Sequence, residues 1–444
     1  MTRLTSYGGE HADCEIVEPR SVEELQHVLA RSGDRHIAFR GQGHAFDAQS
    51  LSGDLVVGLR NLRGLIYDGT TVHASAGEPW GAIVDGARQR GLFPHVVVTT
   101  SQASVAGTAS GNCVSRFSPL FGQDGDHVRS LDLVTCDGQQ LHCTRENEHA
   151  DVFFGVIGGL GCLGAITEVA VELSQNKHDQ VETHVLEVGR IGDVLTAISP
   201  SNTADGATRY AVLLPDLERG IAYSSAYTSG QRLAPYRPVH QPRSLYRLAG
   251  ELLLRSTLGT RLVWAIAERK RAARYVDPIV DFTFMMDGNA RLRRIGRWLG
   301  FPMRVTQQSF VLPVETTSEF IARTRRLFAE ADVVPTMSDV LYCPSDRALL
   351  SATYDFAGFF ISFAFETSWR SRRARIDAAL TQASKECLAL GGRVHLTKNV
   401  RADPADLAAM YATTLPALQQ LRQRLDPERR IRTDFLARTF PMLV

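Results

Sequence analysis

Residues 36–46 read His-Ile-Ala-Phe-Arg-Gly-Gln-Gly-His-Ala-Phe. His36–Arg40 predicts a short strand that runs straight into a glycine-rich loop, Gly41-Gln42-Gly43-His44-Ala45. Two glycines so placed let backbone N–H groups close on an anion, as a pyrophosphate requires. The loop matches neither G-x-G-x-x-G nor G-x-x-x-x-G-K-[ST], and no helix signal follows it. Rossmann and P-loop readings therefore fail. Further along, small residues dominate the nine positions Ser104–Asn112 (SVAGTASGN). Such a run gives up side-chain packing, as a chain does where a flat group must approach the backbone; a tight turn within a packed sheet is the other reading. A third run, Gly158–Ile166 (GGLGCLGAI), has four glycines in seven positions just before a strand pattern at Ala165–Leu173. Each run is ambiguous alone; their order and spacing of about 60 residues are specific.

The surroundings predict an α+β lobe. Residues 20–31 form an amphipathic helix with Val22, Leu25, Val28 and Leu29 on one face and a capping box from Ser21 and Glu24. Asp54–Leu59 and Val72–Ala76 read as strands. Pro79 opens a helix that Gly91 closes. Leu131–Thr135 and Gln139–Cys143 flank Asp137-Gly138, a hairpin signal. Composition shifts near Leu173. Residues 241–275 are rich in arginine and leucine and predict helix, either a solvated or interface pair or a peripheral membrane or polyprenyl-binding surface. Strands are expected at 306–312, 357–365 and 393–397, helices at 317–330 and 373–390, and a helical tail punctuated by Pro404, Pro416 and Pro427.

The chain has 444 residues, 44% hydrophobic and 22% charged, with a formal charge of +1. That balance gives no electrostatic reason to expect a nucleic acid or an anionic membrane. Seven cysteines without a C-x-x-C pair argue against a disulfide framework or zinc ribbon and for a reducing compartment. The first residues, MTRLTSYGGEHADCEIVEP, lack the apolar core of a secretory signal, so a soluble cytoplasmic protein is expected. No metal-ligand spacing and no G-x-S-x-G elbow occurs. Of 49 basic residues only four are lysine: Lys177, Lys270, Lys385 and Lys398. A lysine in a suggestive place therefore stands out.

The order PRSVEEL, RGQGHAF, SVAGTASGN, GQDGDHVRSLDLVT, GVIGGLGCLGAIT over residues 19–173 resembles the FAD-binding domain of the vanillyl-alcohol oxidase / p-cresol methylhydroxylase (PCMH) superfamily. The later segments QQSFVLPVE (307–315), LGGRVHLTKNVR (390–401) and RLDPERRIRTDFLAR (424–438) resemble the decaprenylphosphoryl-β-D-ribose 2-oxidase family, the flavin subunit of a sugar epimerase system; residues 175–300 match it loosely. The resemblance implies a PCMH-type two-subdomain FAD-binding lobe (1–174), an α+β substrate cap with an antiparallel sheet (175–394), and a segment (395–444) returning to the FAD lobe.

It also implies that Arg40, Gly41, Gln42, Gly43, His44 and Ala45 hold the FAD pyrophosphate. Residues 101–112, with Ser101, Ser104, Val105, Ala106, Gly107, Thr108, Ser110, Gly111 and Asn112, would run along the isoalloxazine. Gly161, Gly164 and Ile166, with Asp126 and His127 nearby, would hold the dinucleotide backbone. His44 departs from the ribose oxidases, which bind FAD non-covalently; in alditol and aldonolactone oxidases a histidine there is linked to the flavin, so a covalent bond through His44 is expected. Lys398 matches the family's catalytic-site lysine, which orients or deprotonates a hydroxyl and stabilises the reduced flavin. Gln307 and Ser309 alternate on one strand face and could project into one cleft. Ser362 replaces a cysteine of well-known members. The family's histidine-bearing turn is absent: residues 112–119 read NCVSRFSP. The reaction implied is FAD-dependent oxidation of a hydroxyl-bearing carbon of a sugar, polyol, nucleoside or glycosyl-type substrate, in natural-product or cell-wall sugar metabolism, with oxygen or another electron acceptor. The alternatives are a covalent-flavin alditol or aldonolactone oxidase and a non-catalytic flavin-binding partner subunit.

Overall fold

The computed structural model describes residues 1–200, 206–230, 253–254, 256–269, 271–287, 304–368 and 370–444. Among the described residues the strands form three sheets. In the first, Thr2–Thr5, His11–Val17, Leu55–Gly58 and Ile37–Arg40 lie side by side in that order. The outer pair is antiparallel, whereas Leu55–Gly58 runs parallel to both of its neighbours. The two-residue strand period sorts its side chains: Ile37, Leu55 and Val57 join the main core, and Cys14, Ala38 and Val56 pack on the opposite face.

The second sheet is antiparallel and orders Leu65–Asp68, Thr71–Ser75, Ala165–Gln175, Val128–Val134 and Gln140–Thr144, with Leu92–Pro94 also paired to Ala165–Gln175. The hairpin expected at Asp137-Gly138 forms with Val134 opposite Gln140 and Gly138 at φ +87°. The helix Val22–Arg31 buries Leu25 and Leu29, and Ser21 caps it by accepting from the Glu24 N–H at 3.2 Å.

The third sheet has eight antiparallel strands: Arg274–Pro278, Gln180–Arg190, Arg219–Thr228, Thr208–Leu213, Met337–Cys343, Gly358–Glu366, Val305–Pro313 and Arg393–His395. Gly358–Glu366 is buried along its whole length. Its alternation explains why: Phe363 and Phe365 meet Phe328 of the helix Thr317–Glu330, with ring centroids 5.3 and 5.1 Å apart, while Phe360 and Ser362 face the cavity described below. Strand pairing at 393 stops at His395, so Lys398 lies in the following turn and not within the strand.

The tail forms the helices Pro404–Met410, Leu415–Leu425 and Asp434–Thr439. Pro404 and Pro416 sit in first turns, where a missing N–H costs nothing. The tail returns to the first sheet: Ile431 bridges Ile37, and the Ile37 N–H donates to the Arg430 carbonyl at 2.7 Å. Arg401 ties both ends of the chain, reaching Asp47 at 3.0 Å, Glu10 at 2.9 Å and Asp377 at 2.9 Å.

Of the arginine- and leucine-rich run, residues 241–252, 255 and 270 lie outside the described residues. The described part contains the helix Thr257–Arg269, with Leu258, Leu262 and Ile266 exposed; its Trp264 is not exposed but donates its indole N–H to the Thr336 carbonyl at 2.9 Å. No helix among the described residues is long and apolar enough to cross a membrane.

Candidate active site

The glycine-rich runs converge on one cavity of about 320 Å³, walled on its far side by the eight-stranded sheet. Ser104–Asn112 is neither an open loop nor a turn in a sheet: Val105–Gly111 is a short helix. Two glycines in seven residues give it little intrinsic stability, so neighbours hold it in place. The Val105 N–H donates to the Glu78 carbonyl at 2.9 Å, and the Trp80 indole donates to Thr108 Oγ1 at 2.8 Å. At the other end, the N–H groups of Gly158 and Leu160 donate to the Ala109 and Ser110 carbonyls. The small side chains leave the helix backbone open to the cavity.

Gly41, Gln42, Gly43, His44 and Ala45 line the cavity, as do Ser104, Ala106, Gly107, Thr108, Ser110 and Gly111, and Gly161, Gly164 and Ile166. Five expected cofactor or catalytic residues do not. Arg40 turns away to Ser50 Oγ and the Thr5 carbonyl, at 3.2 and 2.9 Å. Ser101 ties its backbone to Asp287, Val105 points into the core, and Asn112 ends the short helix at φ 44° while bonding Asp346 at 2.8 Å. Ser309 is fully buried and bonds Ser362 Oγ at 3.0 Å; it shares a face with Gln307, but the cleft closes before reaching it. Asp126 and His127 also serve the fold instead: Asp126 accepts from the Gln123 N–H at 2.8 Å, and His127 stacks on His95 at 4.3 Å.

Gln307, Ser362 and Lys398 do come together on the sheet side. Gln307 donates to Ser362 Oγ at 2.7 Å. The turn that carries Lys398 is clamped from both directions. Gln49 donates to the carbonyls of Leu396 and Lys398, each at 2.9 Å. Asn399 exchanges backbone and side-chain bonds with Gln307, at 2.8 and 3.0 Å, and donates to the Phe46 carbonyl at 3.1 Å. The Lys398 ammonium sits 4.0 Å over the Phe46 ring and has no ion pair among the described residues. Burial lowers its pKa, opposed by Cys113 and Asp339. His395 is held neutral: burial and then Lys398 push its pKa down to about 3, and its Nε2 bonds Thr397 Oγ1 at 2.5 Å.

Behind the short helix, Asp124 is buried with one carboxylate oxygen unpartnered, and burial raises its pKa to about 7. An unfolded aspartate titrates near 4. The protonated form is therefore the one that the fold favours. Its contribution is complete below pH about 4, declines by up to about 1.4 kcal/mol per pH unit, and is gone above about 7. Relative to the native protein, Asp124→Asn should gain stability between pH 4 and 7 and keep that gain at pH 8. Thermal melts across that range check it; a difference independent of pH would contradict it.

The residues suit a flat dinucleotide. A Cβ on Gly41 would fall 2.2 Å from Ser104 Oγ, Gly43 has φ +79°, and Gly161 at φ +77° faces open space. Sequence reasoning missed Gln49, Arg116 and Asp339, which line or brace the cavity. Nothing local marks them, because the fold gathers them from distant strands.

Residues 15–144 match the family described as FAD binding domain, and residues 262–439 match D-arabinono-1,4-lactone oxidase. The chain is thus an FAD-dependent oxidoreductase. Both matches are consistent with the vanillyl-alcohol oxidase / PCMH superfamily of FAD-linked oxidases. It is 24% identical to an uncharacterized oxidoreductase, ORF5 in the fasciation locus of Rhodococcoides fascians, over 96% of this chain and 95% of that one. It is 23% identical to decaprenylphosphoryl-beta-D-ribose oxidase of Mycolicibacterium smegmatis, over 93% and 90%. Cytokinin dehydrogenase 1 of Arabidopsis thaliana is 31% identical over 37% of this chain and 30% of that one.

Proposed function

We propose that this protein oxidises a hydroxyl-bearing carbon of a sugar, polyol, nucleoside or glycosyl-type substrate. The observation that carries this reading is the Lys398 ammonium, clamped at the cavity wall opposite the glycine-rich runs with no ion pair among the described residues. FAD, when bound, would supply the hydride-accepting redox chemistry that oxidation of the substrate carbon needs. Gly41–Ala45 and the helix Val105–Gly111 hold the cofactor; Lys398 orients the reacting oxygen and offsets negative charge on the reduced cofactor; Gln307 and Ser362 fix the neighbouring wall. Oxygen or another electron acceptor would be the second substrate.

Residues 1–174 and 395–444 are read as the FAD lobe and 175–394 as the substrate cap, supported by the tail's bonds to Ile37 and by the run of the eight-stranded sheet from residue 180. Seven free cysteines, six of them buried, support a reducing cytoplasm. Purified protein should show flavin absorbance that bleaches under anaerobic substrate. Flavin that no sugar, polyol, nucleoside or glycosyl-type compound bleaches would favour the binding-subunit reading.

His44 lines the cavity beside the Tyr7 ring, 6.4 Å between centroids, which favours the second reading of a covalent flavin of the alditol or aldonolactone oxidase kind. Acid-precipitated protein should keep its yellow colour and fluorescence in the pellet, and His44→Ala should release them. A colourless wild-type pellet contradicts the bond.

A further inference from the structure

Several buried charges in this fold are paired. Arg422 meets Asp426 at 3.0 Å, and Arg401 meets three carboxylates. Two cavity residues beyond Lys398 break that pattern. Arg116 stacks over the rings of Tyr210 and Phe282, at 4.6 and 5.2 Å, and its guanidinium has no hydrogen bond or ion pair among the described residues. Asp339, on the strand Met337–Cys343 opposite Ser362, also faces the cavity, and its carboxylate has no such partner among the described residues. Their remaining solvent contact is through the cavity itself. The two are in electrostatic reach of each other: burial raises the pKa of Asp339, and Arg116 and then Lys398 lower it without outweighing burial. They are nevertheless too far apart for an ion pair.

Two half-buried charges without protein partners, both open to the cavity, are placed to take their partners from a ligand there. An anion would suit Arg116 but meet Asp339 as a like charge. A cation would do the reverse. A single charged group cannot serve both. Two neighbouring hydroxyls can, because each is donor and acceptor at once. We propose that Arg116 and Asp339 are the substrate-docking pair of this enzyme, Asp339 accepting a hydrogen bond from one hydroxyl of a vicinal diol and Arg116 donating to the adjacent oxygen. The proposal rests on the FAD-dependent reading above and assigns the specificity to residues outside the cofactor cradle. Neither residue is asked to move a proton, so the pair positions and selects.

The test uses the full FAD-loaded chain and follows the flavin's visible absorbance as ligands are added. The probes are xylitol, D-ribose and D-arabinono-1,4-lactone as diols, 1-pentanol as a lone hydroxyl and 2-hydroxypentanoate as a hydroxy acid. At least one diol should perturb the spectrum saturably, and the other two compounds should not. Asp339→Asn and Arg116→Met should each weaken diol binding at least tenfold with the flavin content unchanged. Both variants remove an unpaired half-buried charge, so their melting temperatures should hold or rise; a purely structural role predicts a fall. Unaltered diol binding in the variants, a preference for the hydroxy acid, or a wild type deaf to every diol overturns the docking pair and leaves flavin binding standing. A colourless protein sinks the FAD reading and the docking pair with it.

Discussion

Replacing Lys398 with methionine is expected to leave FAD bound and to slow its reduction by substrate by 100-fold or more. The turn is held by backbone and neighbouring side-chain bonds from Gln49 and Asn399, none of which uses the ammonium. Methionine keeps the length and the contact with Phe46, so the loss falls on charge alone. If the ammonium stabilises the reduced cofactor, the flavin's two-electron potential should also move negative, by about 30 mV for each 1.4 kcal/mol of interaction removed. Arginine should not substitute, since its delocalised guanidinium does not present the compact point charge that the Lys398 ammonium does. Normal reduction and an unmoved potential would remove Lys398 from the chemistry.

Asp426→Ala should cost about 3–5 kcal/mol, the usual penalty for stranding a buried charge. Asp426 is 1% exposed and accepts from Arg422 at 3.0 Å and from the N–H groups of Arg430 and Ile431, each at 2.9 Å. Its loss leaves the buried Arg422 guanidinium without its carboxylate. The double variant Asp426→Ala, Arg422→Met should be less destabilised than Asp426→Ala alone, because the stranded charge is gone. The effect should also reach the cofactor: the Arg430 carbonyl receives the Ile37 N–H that anchors the strand feeding Gly41–Ala45. Denaturant titration and retained FAD, measured on the same samples, check both parts. A double variant as unstable as the single one would mean that the carboxylate's bonds to Arg430 and Ile431, and not the stranded arginine, carry the cost.

The cofactor cradle was legible because it is written locally. Gly41, Gly43, Gly107 and Gly161 each sit in a run whose composition suits close approach to the backbone, and all four line the cavity. The alternation in residues 357–365 likewise sets Phe360 and Ser362 on one face. What local pattern could not supply was distance. Ser309 has the right parity and still sits beyond the end of the cleft. Asn112 and Ser101 lie in the right run but are consumed by bonds to Asp346 and Asp287. Arg116 and Asp339 lie in unremarkable sequence, and only the pairing of Met337–Cys343 with Gly358–Glu366 brings Asp339 to the cavity. The short helix at 105–111 went unread because its propensity is poor and tertiary bonds supply what the sequence lacks.

The turn bearing Lys398 is gripped by Gln49 from one end of the chain and by Gln307 from beyond its middle. During synthesis the glycine loop is made early and then waits for some 350 residues before its lysine emerges. Until that late segment docks, the cavity lacks a wall. A chain cut short before residue 398 would therefore present the glycine-rich wall without the cation that faces it.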